Sequence, residues 1–216
     1  MTHITLIRHG QANTGARDEA SYDRLSDLGH QQARWLGEHL RNTQAHYTRV
    51  YSGTLTRHIE TAAGMGLEDI VQDPRLNEME YFTLAEAMQD QHGLQIPTER
   101  AGFVEHMPQV FAAWAADEIS NAPESWRDFE IRTKSALSEI AAGSGPAVVV
   151  TSGGLIAMAM RQAMDLDTTG TARMALAIMN SSMHRLHPIG GRLSPVLFNA
   201  VPHLDNPARH YAQTHL

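Results

Sequence analysis

Arg8 and His9 stand together near the start of the chain, directly after the apolar run Ile4-Thr5-Leu6-Ile7 and just before Gly10. Arginine grips phosphate oxygens through paired hydrogen bonds, and a neutral imidazole can attack phosphorus. Together they suit phosphoryl chemistry. Three further segments offer complementary groups. Ser52-Gly53-Thr54-Leu55-Thr56-Arg57 passes from a strand into a helix and presents Arg57 in the helix's first turn. Leu76-Asn77-Glu78-Met79-Glu80 sets carboxylates after a short apolar segment, where Glu78 or Glu80 can act as acid or base. Val150-Thr151-Ser152-Gly153-Gly154 is a strand-to-helix turn whose unpaired N–H groups suit an anion. Each segment also has an ordinary reading: a strand end, a helix-surface arginine, solvated acids in a loop, a glycine turn serving close packing.

These groups need a scaffold. Residues 4–7 read as a buried strand, and Gly10 past its end permits a sharp turn and a close approach to a ligand. The C-terminal ends of such strands are where open α/β sheets place their ligands. A polar loop is expected over residues 11–24, then a helix capped by Ser26 and running to about residue 42, with Leu28, Trp35, Leu36 and Leu40 toward the core. A short strand at 49–52 leads into a helix near 55–65. Residues 83–130 hold helical patterns at 84–91 and 103–119 and no clear strand, so they are expected to form a helical cap over the active edge. Tyr81, Phe82, Phe103, Phe111 and Trp114 are candidates for an apolar wall there, although at helical spacing such residues more often form core. Glu86 is a further candidate acid. After a helix at 128–142 comes the valine-rich run at 147–151, which predicts a strand covered on both faces, followed by a helix near 155–164. Residues 175–179, 183–187 and 196–198 read as β-like. The alternation of strands and helices predicts an α/β fold, and 216 residues predict a single domain over 1–216.

Composition narrows the partners. A net charge of −7 gives no reason to expect nucleic acid or an anionic membrane surface. The longest apolar stretch, 147–160, is broken by Thr151-Ser152-Gly153-Gly154 and too short to cross a bilayer. No cysteine is present, which removes disulfide and thiolate chemistry, and the first residues lack the pattern of a signal peptide. A cytoplasmic location is the expectation. The 13 histidines show no metal-ligand spacing, so no metal and no cofactor are expected.

Taken in order, the segments resemble the histidine phosphatase superfamily, which includes the cofactor-dependent phosphoglycerate mutases. Arg8-His9-Gly10-Gln11 is similar to its signature, and Leu25-Ser26-x-x-Gly29-x-x-Gln32-Ala33-x-x-Leu36-Gly37 to its first helix. Tyr51-Ser52-Gly53-x-Leu55-x-Arg57-x-x-Glu60-Thr61-Ala62 resembles the segment with the second phosphate-binding arginine, and Leu76-Asn77-Glu78 the segment with the acid. Asn199 and His203-Leu204 resemble the closing strand and tail. The resemblance implies a three-layer α/β/α sandwich with a mostly parallel central sheet and a helical cap insertion. It implies His9 as the nucleophile that accepts the phosphoryl group and Glu78 as the acid. Arg8, Arg57, Ser152 and Gly153 would bind the phosphate, with a small phosphomonoester or a phosphoprotein as substrate.

Two departures from the family pattern matter. The family carries a second histidine in the turn where this chain has Ser152. A serine hydroxyl donates one hydrogen bond but never becomes cationic. Losing one well-placed donor costs about 2.7–4 kcal/mol of barrier, roughly a hundred- to a thousandfold in rate. Hydrolysis of modest rate and a non-catalytic pseudophosphatase that binds a phosphoester both stay open, and Ser152→His is expected to raise turnover. His184 and His203 are the histidines considered as substitutes. The second departure is Gln11-Ala12-Asn13-Thr14-Gly15, which replaces the acidic residue and Trp-Asn pair of mutase-type members and favours hydrolysis over mutase activity.

Overall fold

A computed structural model describes residues 2–16 and 18–215, leaving aside the side chain of Arg100. Met1, Arg17 and Leu216, which fall within the segments read above, lie outside the described residues. Strand β1 (Ile4–Arg8) and strand β4 (Ala147–Thr151) form the centre of the sheet and are buried along their whole length. They run parallel, with Ile4 opposite Ala147 and Arg8 opposite Thr151. On the far side of β4 lie β2 (Arg49–Ser52) and the two-residue β3 (Val71–Gln72), both parallel. On the far side of β1, β5 (Met183–Ile189) and β6 (Arg192–Ala200) close the sheet antiparallel, giving the order β3-β2-β4-β1-β5-β6.

The helices cover both faces, and the strand alternation shows how. Ile4, Leu6, Ala147 and Val149 pack into one core, with α6 (Trp126–Ala142), α7 (Gly153–Met164), α5 (Arg100–Ala115) and α8 (Thr168–Ala177). Ile7, Val148 and Val150 point the other way, onto Ala33 and Leu36 of α2 (Asp27–Asn42) and Ala62 of α3 (Thr56–Gly64). The three-layer architecture with a mostly parallel sheet is therefore present. Ser26 caps α2 by accepting from the Gly29 amide at 3.1 Å, as the sequence implies.

Several local expectations change. The 11–24 loop contains a one-turn helix, α1 (Glu19–Tyr22), because Asp18 and Ser21 form a reciprocal capping box. Residues 175–179, read as β-like, instead finish α8 and the turn after it. Asp167 caps that helix by accepting from Gly170 at 2.7 Å, and Thr171, Ala172 and Ala175 form its buried face. Within the cap region, α4 (Tyr81–His92) starts three residues before the expected 84, and α5 ends at Ala115 rather than 119. Phe111 and Trp114 are core, in edge contact with Trp126 at 5.5 and 5.1 Å, so they leave the proposed wall. Glu80 and Glu86 are exposed. Gly10 also serves close backbone packing. A Cβ there would collide with the Gly29 carbonyl, and a Cβ on Gly29 would collide with Gln11, so the two glycines let β1's loop lie flat on the start of α2.

Candidate functional site

The C-terminal ends of β1, β2, β3 and β4 bring Arg8, His9, Arg57, Glu78, Ser152 and Gly153 into one cluster. Parallel strands make this automatic, since each delivers its following loop to the same edge. His9 follows β1 directly, its amide held by the Thr151 carbonyl at 2.9 Å and its carbonyl accepting from the Ser181 amide at 3.2 Å. The ring is almost fully buried, and Nδ1 lies 2.7 Å from the Gly10 carbonyl. A carbonyl only accepts, so Nδ1 carries the proton and Nε2 keeps its lone pair. Burial, then the charges of Arg57 and Arg8, hold this imidazole well below the usual histidine range. His9 is neutral, with a defined tautomer, across the weakly acid range.

Two guanidinium groups flank it. Arg8, at the end of β1, donates to the Ile178 carbonyl, and its guanidinium lies against the Cα of Gly153, where a Cβ would stand 3.5 Å from Nε. Arg57 is 2 % exposed and pairs with Asp23 at 3.0 Å. Asp23 also accepts from the Thr56 and Arg57 amides at 3.0 and 3.2 Å, capping α3 and fixing its arginine together. Tyr22 lies under the Arg57 guanidinium at 5.0 Å and meets the His9 ring edge-on at 6.2 Å. Buried arginine without full neutralisation is a ready anion site. The Nε atoms of both arginines are buried and lack partners among the described residues.

Glu78 comes from the loop after β3. Its carboxylate accepts from the Gly154 amide at 2.8 Å and the Met79 amide at 3.1 Å, which sets it at the N-terminus of α7. A Cβ on Gly154 would strike the carboxylate and the Met79 sulfur, so the glycine makes room for the acid. Burial pushes the Glu78 carboxyl up, against the opposing pull of the Gly154 amide and the Arg57 charge. The loop is tied down from three sides. Thr151 donates to the Leu76 carbonyl at 2.6 Å, Asn77 exchanges hydrogen bonds with Thr54 at 2.7 and 2.8 Å, and Arg132 of α6 donates to the Arg75 and Asn77 carbonyls at 2.9 and 2.7 Å.

Ser152 occupies the N-cap position of α7 but does not cap it. Its hydroxyl lies 2.6 Å from Nε2 of His58, a fully buried histidine in the first turn of α3. The His58 and His9 rings are 5.8 Å apart. His58, Asp23 and Tyr22 are site residues that sequence reasoning missed. Thr61 is another supporting group, accepting from the Gly10 amide at 3.0 Å and donating to the Arg57 carbonyl at 2.7 Å. The two histidines considered as substitutes have other partners. His184 accepts from the Asn199 amide at 3.2 Å and places Nε2 2.9 Å from Ser182, while burial lowers it to about 3. Both of its ring nitrogens are thereby occupied. His203 bonds Ser181 at 2.8 Å, behind the His9 carbonyl, and burial lowers it to about 3 as well.

Comparison with known proteins gives the chain its family. The family description "Histidine phosphatase superfamily (branch 1)" matches residues 4–201, and the chain belongs to that superfamily. Among solved structures, a mycobacterial glucosyl-3-phosphoglycerate phosphatase complexed with VO3 shares 27% identity, with 92% of this chain and 98% of that one covered at a TM-score of 0.63. A mutant phosphoserine phosphatase from Entamoeba histolytica, in complex with phosphoserine, aligns over 94% of this chain and 100% of its own at 0.71 and 17% identity. A phosphoglycerate mutase from Bacillus anthracis str. Sterne aligns over 94% of both chains at 0.68 and 22% identity. No curated protein sequence matches the chain. Among the described residues, no helix is long and apolar enough to cross a membrane.

Proposed function

We propose that the protein is a phosphomonoesterase that works through a phosphohistidine on His9. The observation that carries this reading is the fixed, neutral imidazole of His9 between two buried arginines, with a raised carboxyl beside it. In the first step Nε2 of His9 attacks phosphorus and the ester P–O bond breaks. Arg8 and Arg57 hold the equatorial oxygens, and Glu78 gives its proton to the departing alkoxide, releasing the alcohol. In the second step the Glu78 carboxylate takes a proton from water, which attacks phosphorus as the P–N bond breaks. Inorganic phosphate leaves, His9 is neutral again and Glu78 is again protonated. Ser152 and the Gly153 amide, at a helix start, complete the phosphate cradle. No metal or cofactor enters these steps.

The mycobacterial phosphatase and the superfamily membership support a phosphatase-type enzyme. Small phosphomonoesters fit better than a phosphate on a folded protein surface, because His9, Arg8, Arg57 and Ser152 are all buried and a bulky protein surface cannot follow its phosphate in to reach them. Mutase activity is less favoured: Gln11 spends its side chain on Ser26 at 2.8 Å and its amide on Gln32 at 2.7 Å, leaving the loop committed to α2. A pseudophosphatase would have less use for a raised acid beside a nucleophile. The whole unit, residues 1–216 with its helical cap at about 83–130, is proposed to act as one domain.

Hydrolysis of p-nitrophenyl phosphate from about pH 4.5 to 8, wild type against His9→Ala, tests the reading. The general acid must be protonated, so turnover should fall as pH rises through the elevated Glu78 value. On the acid side it should persist well below the ordinary histidine range, because His9 stays neutral there. Loss of turnover in His9→Ala with retained fold supports the phosphohistidine route. Equal rates in the two proteins overturn it, and efficient conversion of 3-phosphoglycerate with 2,3-bisphosphoglycerate would assign a mutase instead.

A further inference from the structure

The serine at position 152 looks, in sequence, like the loss of a functional imidazole. The fold puts an imidazole back beside it. His58 enters from a different strand-to-helix turn, buried in the first turn of α3 next to Arg57, and its Nε2 lies 2.6 Å from the Ser152 hydroxyl. That hydroxyl has left the usual work of an N-cap serine, since it makes no capping bond to α7. The His58 ring lies 5.8 Å from the His9 ring, inclined at 36°. Burial and the neighbouring Arg57 charge keep His58 neutral in the free protein. Its Nδ1 is buried without a partner among the described residues, and Gly53 gives it room, because a Cβ there would collide with that nitrogen and with the Asn77 amide oxygen.

We propose that His58 and Ser152 together replace the second histidine of the phosphoryl site, with Ser152 as the hydrogen-bond donor to the phosphoryl group and His58 as the residue that positions it. This rests on the phosphatase reading above. With Nε2–H donating to the serine oxygen, the serine proton is left free to point into the cradle, and the two groups form a short chain that strengthens its terminal donor. His58 is thus a positioning residue that acts through Ser152. No bond is made or broken by the pair. The arrangement also changes what a histidine at position 152 would do. With His58 already at the hydroxyl, Ser152→His alone forces two imidazoles into a space built for one, and it is expected to lower turnover.

The test is a set of exchanges on p-nitrophenyl phosphate, with circular dichroism and thermal melting on each variant. Ser152→Ala and His58→Ala should each lower kcat about 100-fold or more, with smaller changes in KM. The double alanine variant should be no worse than either single one, because the two side chains act as one unit. His58→Ala with Ser152→His returns an imidazole to the cradle and should recover at least about tenfold over His58→Ala. His58→Gln, whose amide can donate toward Ser152, should fall between wild type and His58→Ala. Folded His58→Ala with wild-type kcat overturns the proposal, as do additive losses or an exchange variant no better than His58→Ala. Should wild type release no phosphate at all, the phosphatase reading fails on its own. The pairing is then read by orthovanadate binding, where weaker binding by folded His58→Ala supports it and equal affinity in wild type and folded His58→Ala overturns it.

Discussion

At the sheet edge, Arg57, Glu78 and Thr61 each hold two or more named partners; those of Glu78 and Thr61 come from different elements, and those of Arg57 both come from the end of α1. The wall beside them is built differently. Tyr22 and Phe82 meet through their rings at 5.7 Å, and the start of α4 is tied to α1 by a hydrogen bond from the Phe82 amide to Glu19 at 2.8 Å. The floor is a network of hydrogen bonds in which removing one group disturbs several, whereas the wall is held mainly by ring contacts, with Tyr22 joining the two. On the proposed phosphatase reading, catalytic geometry and substrate fit should therefore be separable. Substitutions below the phosphate should change kcat, and substitutions beside it should change KM.

Asp23 gives the largest break in that contrast, because it belongs to both regions. It ends α1 and at the same time orients Arg57 and caps α3. Asp23→Ala should reduce kcat/KM about 10- to 100-fold, in line with the roughly 1.5–3 kcal/mol of a hydrogen bond to a charged group. It should also lower stability by about 1 kcal/mol through the lost cap. Asp23→Asn keeps an acceptor for the amides and should retain most of both. Steady-state kinetics and thermal melts on the two variants check this, and equal effects of alanine and asparagine would show that charge rather than orientation is what Asp23 supplies.

A smaller break lies under the acid. Arg132 donates to the carbonyls of Arg75 and Asn77 and holds Glu124 in a two-pronged ion pair at 2.6 and 2.8 Å. It also donates to the backbone carbonyl of Glu78 at 3.4 Å, and so clamps the loop that carries the carboxyl. Arg132→Met should lower kcat about tenfold and leave KM nearly unchanged, the expected signature of a misplaced acid. Loosening the loop admits water and relaxes the burial that raises Glu78. The alkaline limb of the pH profile should then move to lower pH, and a profile that keeps its wild-type limb would show that Arg132 serves stability alone.

Much of the floor was legible before any coordinates. Arg8, His9, Arg57, Glu78, Ser152 and Gly153 lie at ends of strands or starts of helices, and parallel topology gathers such positions without further information. The Ser26 cap and the valine strand were legible because each rests on local chemistry. His58 was not. A histidine in the first turn of a helix reads as a surface residue, and its partner Ser152 is 94 residues away. Asp23 stayed hidden for the same reason, 34 residues from the arginine it holds. The α8 error is of another kind: Ala175-Leu176-Ala177-Ile178-Met179 is a short apolar run, and length and composition do not separate a buried helix end from a strand. The expected wall keeps Phe82 but loses Phe111 and Trp114, because helical spacing in α5 sends them into the core, while the ring that meets His9, Tyr22, comes from a one-turn helix with no periodic signal.

Glu19 offers the gentlest test of the wall. Its carboxyl is half-buried at the junction of α1 and α4, and burial raises it to about 7 from an ordinary 4.5, with the Phe82 amide and Arg57 pulling the other way. A carboxyl with a raised folded value takes up its proton more readily folded than unfolded. Its contribution to stability is therefore full below about pH 4.5 and is lost as pH rises through about 7. Glu19→Gln keeps an acceptor for Phe82 and removes the titration. The melting temperature of wild type should decline across that interval relative to the variant, while kcat on p-nitrophenyl phosphate stays equal at acid pH, where wild-type Glu19 is already neutral. Toward neutral pH the ionised wild-type side chain strains the α1–α4 contact, so KM for larger phosphomonoesters should separate the two proteins there. Parallel melting curves across the interval would show that Glu19 ionises as freely as it does in the unfolded chain. The wall would then be as firmly set as the floor, and the contrast between them would rest on the aromatic contacts alone.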